Sequence, residues 1–124
     1  MNNKRPVNLD IATINLPITA LVSILHRVSG VVLFGAVAVL LWALDISLAS
    51  QQSFTDMKEC LQNPLAKTVL WLVLAGLAYH TVAGIRHLIM DMGVGETLEG
   101  GRLGAKLVFG FSFVLIALAG VWVW

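Results

Sequence analysis

Three long apolar runs constrain this chain more than any other feature. Val28 to Ile46 is interrupted only by Ser29, glycines and Asp45. Thr68 to Ile85 is interrupted by Tyr79, His80, Thr81 and glycines, and Leu107 to Trp124 by Ser112 and glycines. Each run is close to the roughly 20 residues that cross about 30 Å of hydrocarbon as a helix. In lipid the backbone N–H and C=O groups have to be satisfied internally, and for so few spans helices are the economical solution. Composition agrees, since the chain is 58% hydrophobic and 12% charged, about half the charged share of an average soluble domain. The expected fold is an all-α membrane protein with three transmembrane helices. We read residues 1–124 as a single domain with spans at about 21–48, 65–90 and 104–124.

The same composition excludes several classes. A net charge of +1 gives no footprint for nucleic acid. One cysteine, Cys60, allows neither an internal disulfide nor a CxxC metal or redox motif. Lys4 and Arg5 resemble the start of a signal peptide, but Pro6, Asn8, Asp10, Asn15 and Pro17 follow, and the apolar run is too long.

A polar stretch, "SQQSFTDMKECLQNP", separates the first two runs and reads as a loop. The glycine- and acid-rich "DMGVGETLEGGR" separates the last two. Lys4, Arg5, Arg27, Arg86, Arg102 and Lys106, six of the eight basic residues, fall on one side of the three spans. The positive-inside rule then places the N-terminus and second loop in the cytoplasm, with the C-terminus facing outward. Pro17 suits the first turn of a helix, and the pattern continues to about Leu48. That helix would be roughly 48 Å long at 1.5 Å per residue, so its start would project at the cytoplasmic surface.

Ser23, His26 and Arg27 lie on that projecting turn. Ser23 and Arg27 are four residues apart and share a face. Arg27 is either an anchor that snorkels to headgroups or, with Ser23, the donor pair of a small polar site. His26 is about 100° round the helix and is expected near the surface, facing another neighbour.

His80 is deep in the second run, about 18 Å from its outer end and about 10 Å from its inner end. An ionisable residue at such depth is a functional-site candidate; the alternative is a neutral histidine bonded between helices. Gly76 and Gly84 lie four residues either side on the same face. They leave a flat trough in which a planar macrocycle could lie with its metal over the imidazole, although small-xxx-small spacing also serves plain helix packing. His87 is about 10 Å further along the same helix, so His80 and His87 cannot both bind one iron. A second axial ligand would come from a partner subunit. His26, Arg27 and His87 lie towards the cytoplasm, where haem propionates could point. A deep carboxylate, usual in proton-coupled transport, is missing, because Asp45 is near the outer end of its run.

The stretches "RPVNLD", "SILHRVSGV" and "LAYHTVAGIRHLIMD", with the three-span layout, resemble the cytochrome b membrane anchors of succinate dehydrogenase, in particular the larger anchor of the proteobacterial type. The patterns H-R-x-[ST]-G and H-x-x-x-G-x-R-H are specific in combination, and the resemblance covers nearly the whole chain. It implies a heterodimeric anchor bundle with a second three-span subunit, a shared b-type haem, and attachment of an iron–sulfur subunit and a flavoprotein carrying FAD. Electrons from succinate would pass through iron–sulfur clusters to ubiquinone. Carried over residue by residue, Ser23 and Arg27 would line the quinone pocket, His80 would be a haem axial ligand, and His26, Arg27 and His87 would lie near the propionates. A structural anchor without a redox role and a small transporter component are the alternatives.

Overall fold

The computed structural model describes residues 7–10 and 12–124. Lys4 and Arg5, which contribute to the charge asymmetry, lie outside the described residues. Four helices follow in order: α1 (Ile18–Leu48), α2 (Gln51–Cys60), α3 (Pro64–Asp91) and α4 (Leu98–Val123). Among them α1, α3 and α4 are long and apolar enough to cross a membrane.

Each start has a local cause. Pro17 stands just outside α1, extended at φ −65° and ψ 151°, and its carbonyl accepts from Ala20 and Leu21. Asn63 caps α3 by accepting from the Leu65 N–H, and Pro64 supplies a first-turn φ without wasting a donor. Thr97 caps α4 by accepting from Gly100 N–H, with Glu99 in the positive first turn. α3 ends where Gly93 takes φ +82°. Gly93 N–H then bonds Met90 O and Val94 N–H bonds Ile89 O, satisfying two carbonyls that the helix end leaves free.

Two expectations are corrected. The polar stretch after α1 is not a plain loop, because Gln51–Cys60 is helical. Ser50 caps it through the Ser53 N–H, and Gln52 donates to Asp56 across one turn at 2.7 Å. The last helix also begins earlier than its apolar run, at Leu98, so the glycine-rich "EGG" is helical. Glycine is required there by close approach: a Cβ on Gly100 would lie 2.9 Å from Thr97 Oγ1 and 3.1 Å from Gly95 Cα.

The long helices alternate in direction. His26, Gly30 and Leu33 of α1 meet Gly84, His80 and Gly76 of α3, and Gly104, Phe109 and Gly120 of α4 meet Arg86, Tyr79 and Trp71 of α3, so each pair runs antiparallel. The packed core is small and sits at one end of the bundle. Val22, Ala83, Ala105 and Val108 form it, with Ile18, Tyr79, Val82 and Phe109 against them. Alanine and glycine at the α3–α4 contact bring the backbones close, as helix association in lipid requires. Towards the other end Phe34 is 85% exposed and Val121 80%. An apolar exterior of that extent suits lipid or further helices, and it would be an association hazard in water. At that end Trp71 donates from Nε1 to Ile116 O at 3.0 Å and fixes α3 to α4.

Candidate functional site

The three histidines converge at the packed end. The His26 and His80 rings are stacked, with centroids 4.2 Å apart and planes 14° from parallel. His87 lies beyond His26, at 5.1 Å and tilted by 51°. This corrects the expected position of His26. It faces α3, a different neighbour from the Ser23–Arg27 face as expected, but it does not sit nearer the surface than His80; it lies level with His80, between His80 and His87. The reason is the crossing of α1 and α3, which a reading of one helix at a time cannot contain.

Two glycines make the stack possible. His26 is followed four residues later by Gly30, and His80 by Gly84. In the antiparallel pair each glycine receives the other helix's ring. A Cβ on Gly30 would come within 3.0 Å of His80 Cε1, and one on Gly84 within 3.2 Å of His26 Nε2. Gly76 has a looser role, with Leu33 Cδ2 at 3.9 Å from the corresponding Cβ.

His80 is held at one nitrogen. Its Nδ1 lies 3.0 Å from Ser29 Oγ and 3.1 Å from the His26 carbonyl oxygen. Ser29 Oγ donates to the same carbonyl at 2.8 Å. His80 Nε2 has no hydrogen-bond partner among the described residues and is not among the sealed polar atoms. The donor set therefore offers one imidazole, fixed in direction, with a free nitrogen suited to a metal. Two face-to-face rings 4.2 Å apart leave no room for a macrocycle between them, so His26 and His80 cannot be opposite axial ligands. The described residues hold no cluster of three or more potential metal ligands.

Ser23 and Arg27 lie on the neighbouring face of α1, roughly 60–100° from His26 at 100° per residue. Ser23 is half-buried and Arg27 exposed. Neither side chain makes a hydrogen bond or ion pair among the described residues.

Sequence reasoning missed Ser29 and Arg86. Ser29 sits in the H-R-x-[ST]-G pattern, yet its partner on α3 is visible only in the fold. Arg86 is only 8% exposed. Its Nη2 donates to Gly101 O at 3.2 Å, while Nε is sealed without a partner. It also walls an apolar cavity of about 410 Å³ between α3 and α4. Gly104 leaves space for it, since a Cβ there would lie 3.2 Å from Arg86 Nε. Gly104→Ala is expected to lower stability by about 1 kcal/mol, an overpacking cost of about 1–3 kcal/mol partly offset by helix propensity. Thermal unfolding of the purified assembly measures it.

Comparison with known proteins decides the family. A family model described as succinate dehydrogenase/fumarate reductase transmembrane subunit matches residues 1–119. The chain belongs to that family. It is 44% identical to the succinate dehydrogenase cytochrome b556 subunit of Coxiella burnetii over 100% of both chains. The cytochrome b556 subunit of Rickettsia felis is 34% identical, covering 98% of this chain and 93% of the relative. That of Paracoccus denitrificans is 28% identical, covering 92% and 88%. As a member of the succinate dehydrogenase/fumarate reductase transmembrane family, the chain is a multi-pass membrane subunit, and its role is that of a membrane anchor within such a complex.

Proposed function

We propose that this subunit binds a b-type haem through His80, shares it with a second anchor subunit, and forms part of a ubiquinone site with Ser23 and Arg27. The observation that carries this is His80 itself: a deep imidazole held at Nδ1, with Nε2 free of partners among the described residues, seated against Gly30, whose lack of a side chain makes room for the ring. The printed name of the relatives, cytochrome b556, supports haem. Bound there, a haem b would supply a one-electron acceptor close to the quinone pocket.

This chain's own residues do the rest. His80 would hold the haem from this chain, and a histidine of the second anchor would complete its ligation. Arg27, His87 and His26 would contact the propionates, and of these Arg27 carries a fixed charge and makes no hydrogen bond or ion pair among the described residues. Quinone reduction takes up two electrons and two protons, and negative charge develops on the carbonyl oxygens before the protons arrive. The Ser23 hydroxyl and Arg27 guanidinium are donors fixed by one helix face, and in a water-poor site such donors stabilise that charge. No catalytic acid, base or nucleophile for succinate is apparent in the chain. Succinate oxidation therefore belongs to the flavoprotein, with electrons passing through the iron–sulfur subunit at the cytoplasmic end. Residues 1–124 act as one anchor domain in the bacterial inner membrane, with the N-terminus cytoplasmic and the C-terminus periplasmic.

Arg27→Ala in the purified complex tests the quinone role. Succinate:quinone activity is expected to fall by about 10²–10³-fold, the scale of losing one oxyanion-type donor, while succinate reduction of a soluble dye is unchanged. Equal loss of both activities would point to assembly rather than quinone binding.

A further inference from the structure

The proton positions around His80 are fixed by three heavy atoms. Nδ1, Ser29 Oγ and the His26 carbonyl oxygen form a closed triangle with edges of 3.0, 3.1 and 2.8 Å. The carbonyl can only accept. If Nδ1 carried no proton, the single Ser29 O–H could satisfy one edge, and the Nδ1 lone pair would face the carbonyl lone pairs at 3.1 Å. If Nδ1 carries the proton, every edge is attractive: Nδ1–H donates towards Ser29, and Ser29 O–H donates to the carbonyl. A helical carbonyl also accepts from the N–H four residues on, here Gly30, so with the Ser29 O–H both of its lone pairs are in use. Ser29 Oγ is the less committed acceptor, and a chain of two aligned bonds is stronger than either alone.

We propose that Ser29 is the positioning residue of His80: it selects the Nδ1–H tautomer, aims the ring, and leaves Nε2 as the unprotonated nitrogen that meets the iron. This rests on the proposed role of His80 as a haem ligand. Hydrogen bonding at the remote nitrogen fixes the orientation of a ligating histidine and raises its basicity. A more basic imidazole favours the oxidised iron, so Ser29 holds the haem potential down. The hydroxyl of Ser23, about one and two-thirds turns earlier, makes no such contact among the described residues and does not substitute for it.

The test is Ser29→Ala in the complete purified complex, with haem content, the reduced-minus-oxidised spectrum and the haem midpoint potential measured beside wild type and Ser29→Thr. The alanine variant is expected to retain haem and to shift its redox equilibrium about tenfold towards the reduced form. For one electron that is a rise of about 59 mV. The threonine variant, which restores a hydroxyl, should return towards wild type. Should Ser29→Ala fail to assemble, Ser29→Cys keeps the size with a much weaker acceptor, and the same rise is expected. A haem-loaded alanine or cysteine variant with a wild-type potential would overturn the assignment. His80→Ala, measured in parallel, separates the two readings. A normal haem band in that variant removes the ligand role itself. A lost band there, beside an unshifted Ser29 variant, removes only the role of Ser29.

Discussion

His80→Ala is expected to remove the b-type absorption band from the purified complex while leaving the three long helices in place. Loss of a group that merely supports a metal ligand costs about 10–100-fold in affinity. Loss of the ligand should exceed that, because this chain offers no substitute. His26 is stacked on the vacated position at 4.2 Å but has Nε2 turned against Gly84, and His87 is a further 5.1 Å away. The helices should survive, since Val22, Ala83, Ala105 and Val108 pack without the imidazole. A reduced-minus-oxidised spectrum with haem quantified per complex reads the effect. Added imidazole offers a second check, because the alanine leaves a ring-sized space lined by Ser29 and Gly30, and partial return of the band would confirm that the missing group is the ligand. An unchanged band would move the ligand elsewhere. A wild-type complex without a b-type haem would leave the chain as an anchor in which His80 is only an interhelical hydrogen bonder.

The sequence exposed the helices more readily than their contacts. Three apolar runs of span length allowed little besides three helices, and Pro17 marked the start of the first. Where polarity and glycine outweighed capping signals, the reading went astray. Ser50 and Thr97 each cap a helix that the composition around them disguised as loop. Depth along one helix singled out His80, but it could not place His26 against it. The position of His26 depends on register between α1 and α3, and register is set by which small residues face each other. In retrospect the signal was present twice, as His26 to Gly30 and His80 to Gly84, the same four-residue spacing on two helices running in opposite directions. Arg86 was hidden for a related reason. A basic residue near the end of a span is ordinarily an anchor reaching for water, and only Gly101 and Gly104 on α4 reveal that this one turns inwards.

Reciprocal packing makes the two glycines sensitive positions as well. Gly30→Val is expected to displace His80 and to lower haem occupancy by about 10-fold or more, the scale of a disturbed ligand support. Already at Gly30→Ala the new Cβ would lie 3.0 Å from Cε1 of a ring whose Nδ1 is held by Ser29 and the His26 carbonyl of the same helix, so the ring cannot retreat without stretching those contacts. Gly84→Val should act on the same haem from the opposite helix, by pushing His26 through its Nε2 at 3.2 Å into the stack. Gly35→Ala is the matched control, one helix turn further along α1 with nothing within 4 Å of its Cβ position. It should leave haem per complex at the wild-type level, because it changes only helix propensity, in alanine's favour by about 1 kcal/mol. If Gly30→Ala and Gly35→Ala gave the same haem occupancy and the same spectrum, the close approach of Gly30 would not be what holds His80. The ring would then depend on Ser29 alone. If only the Gly30 and Gly84 variants lost haem, the two His-x-x-x-Gly segments would act as one unit, and the geometry of their crossing would define the ligand pocket.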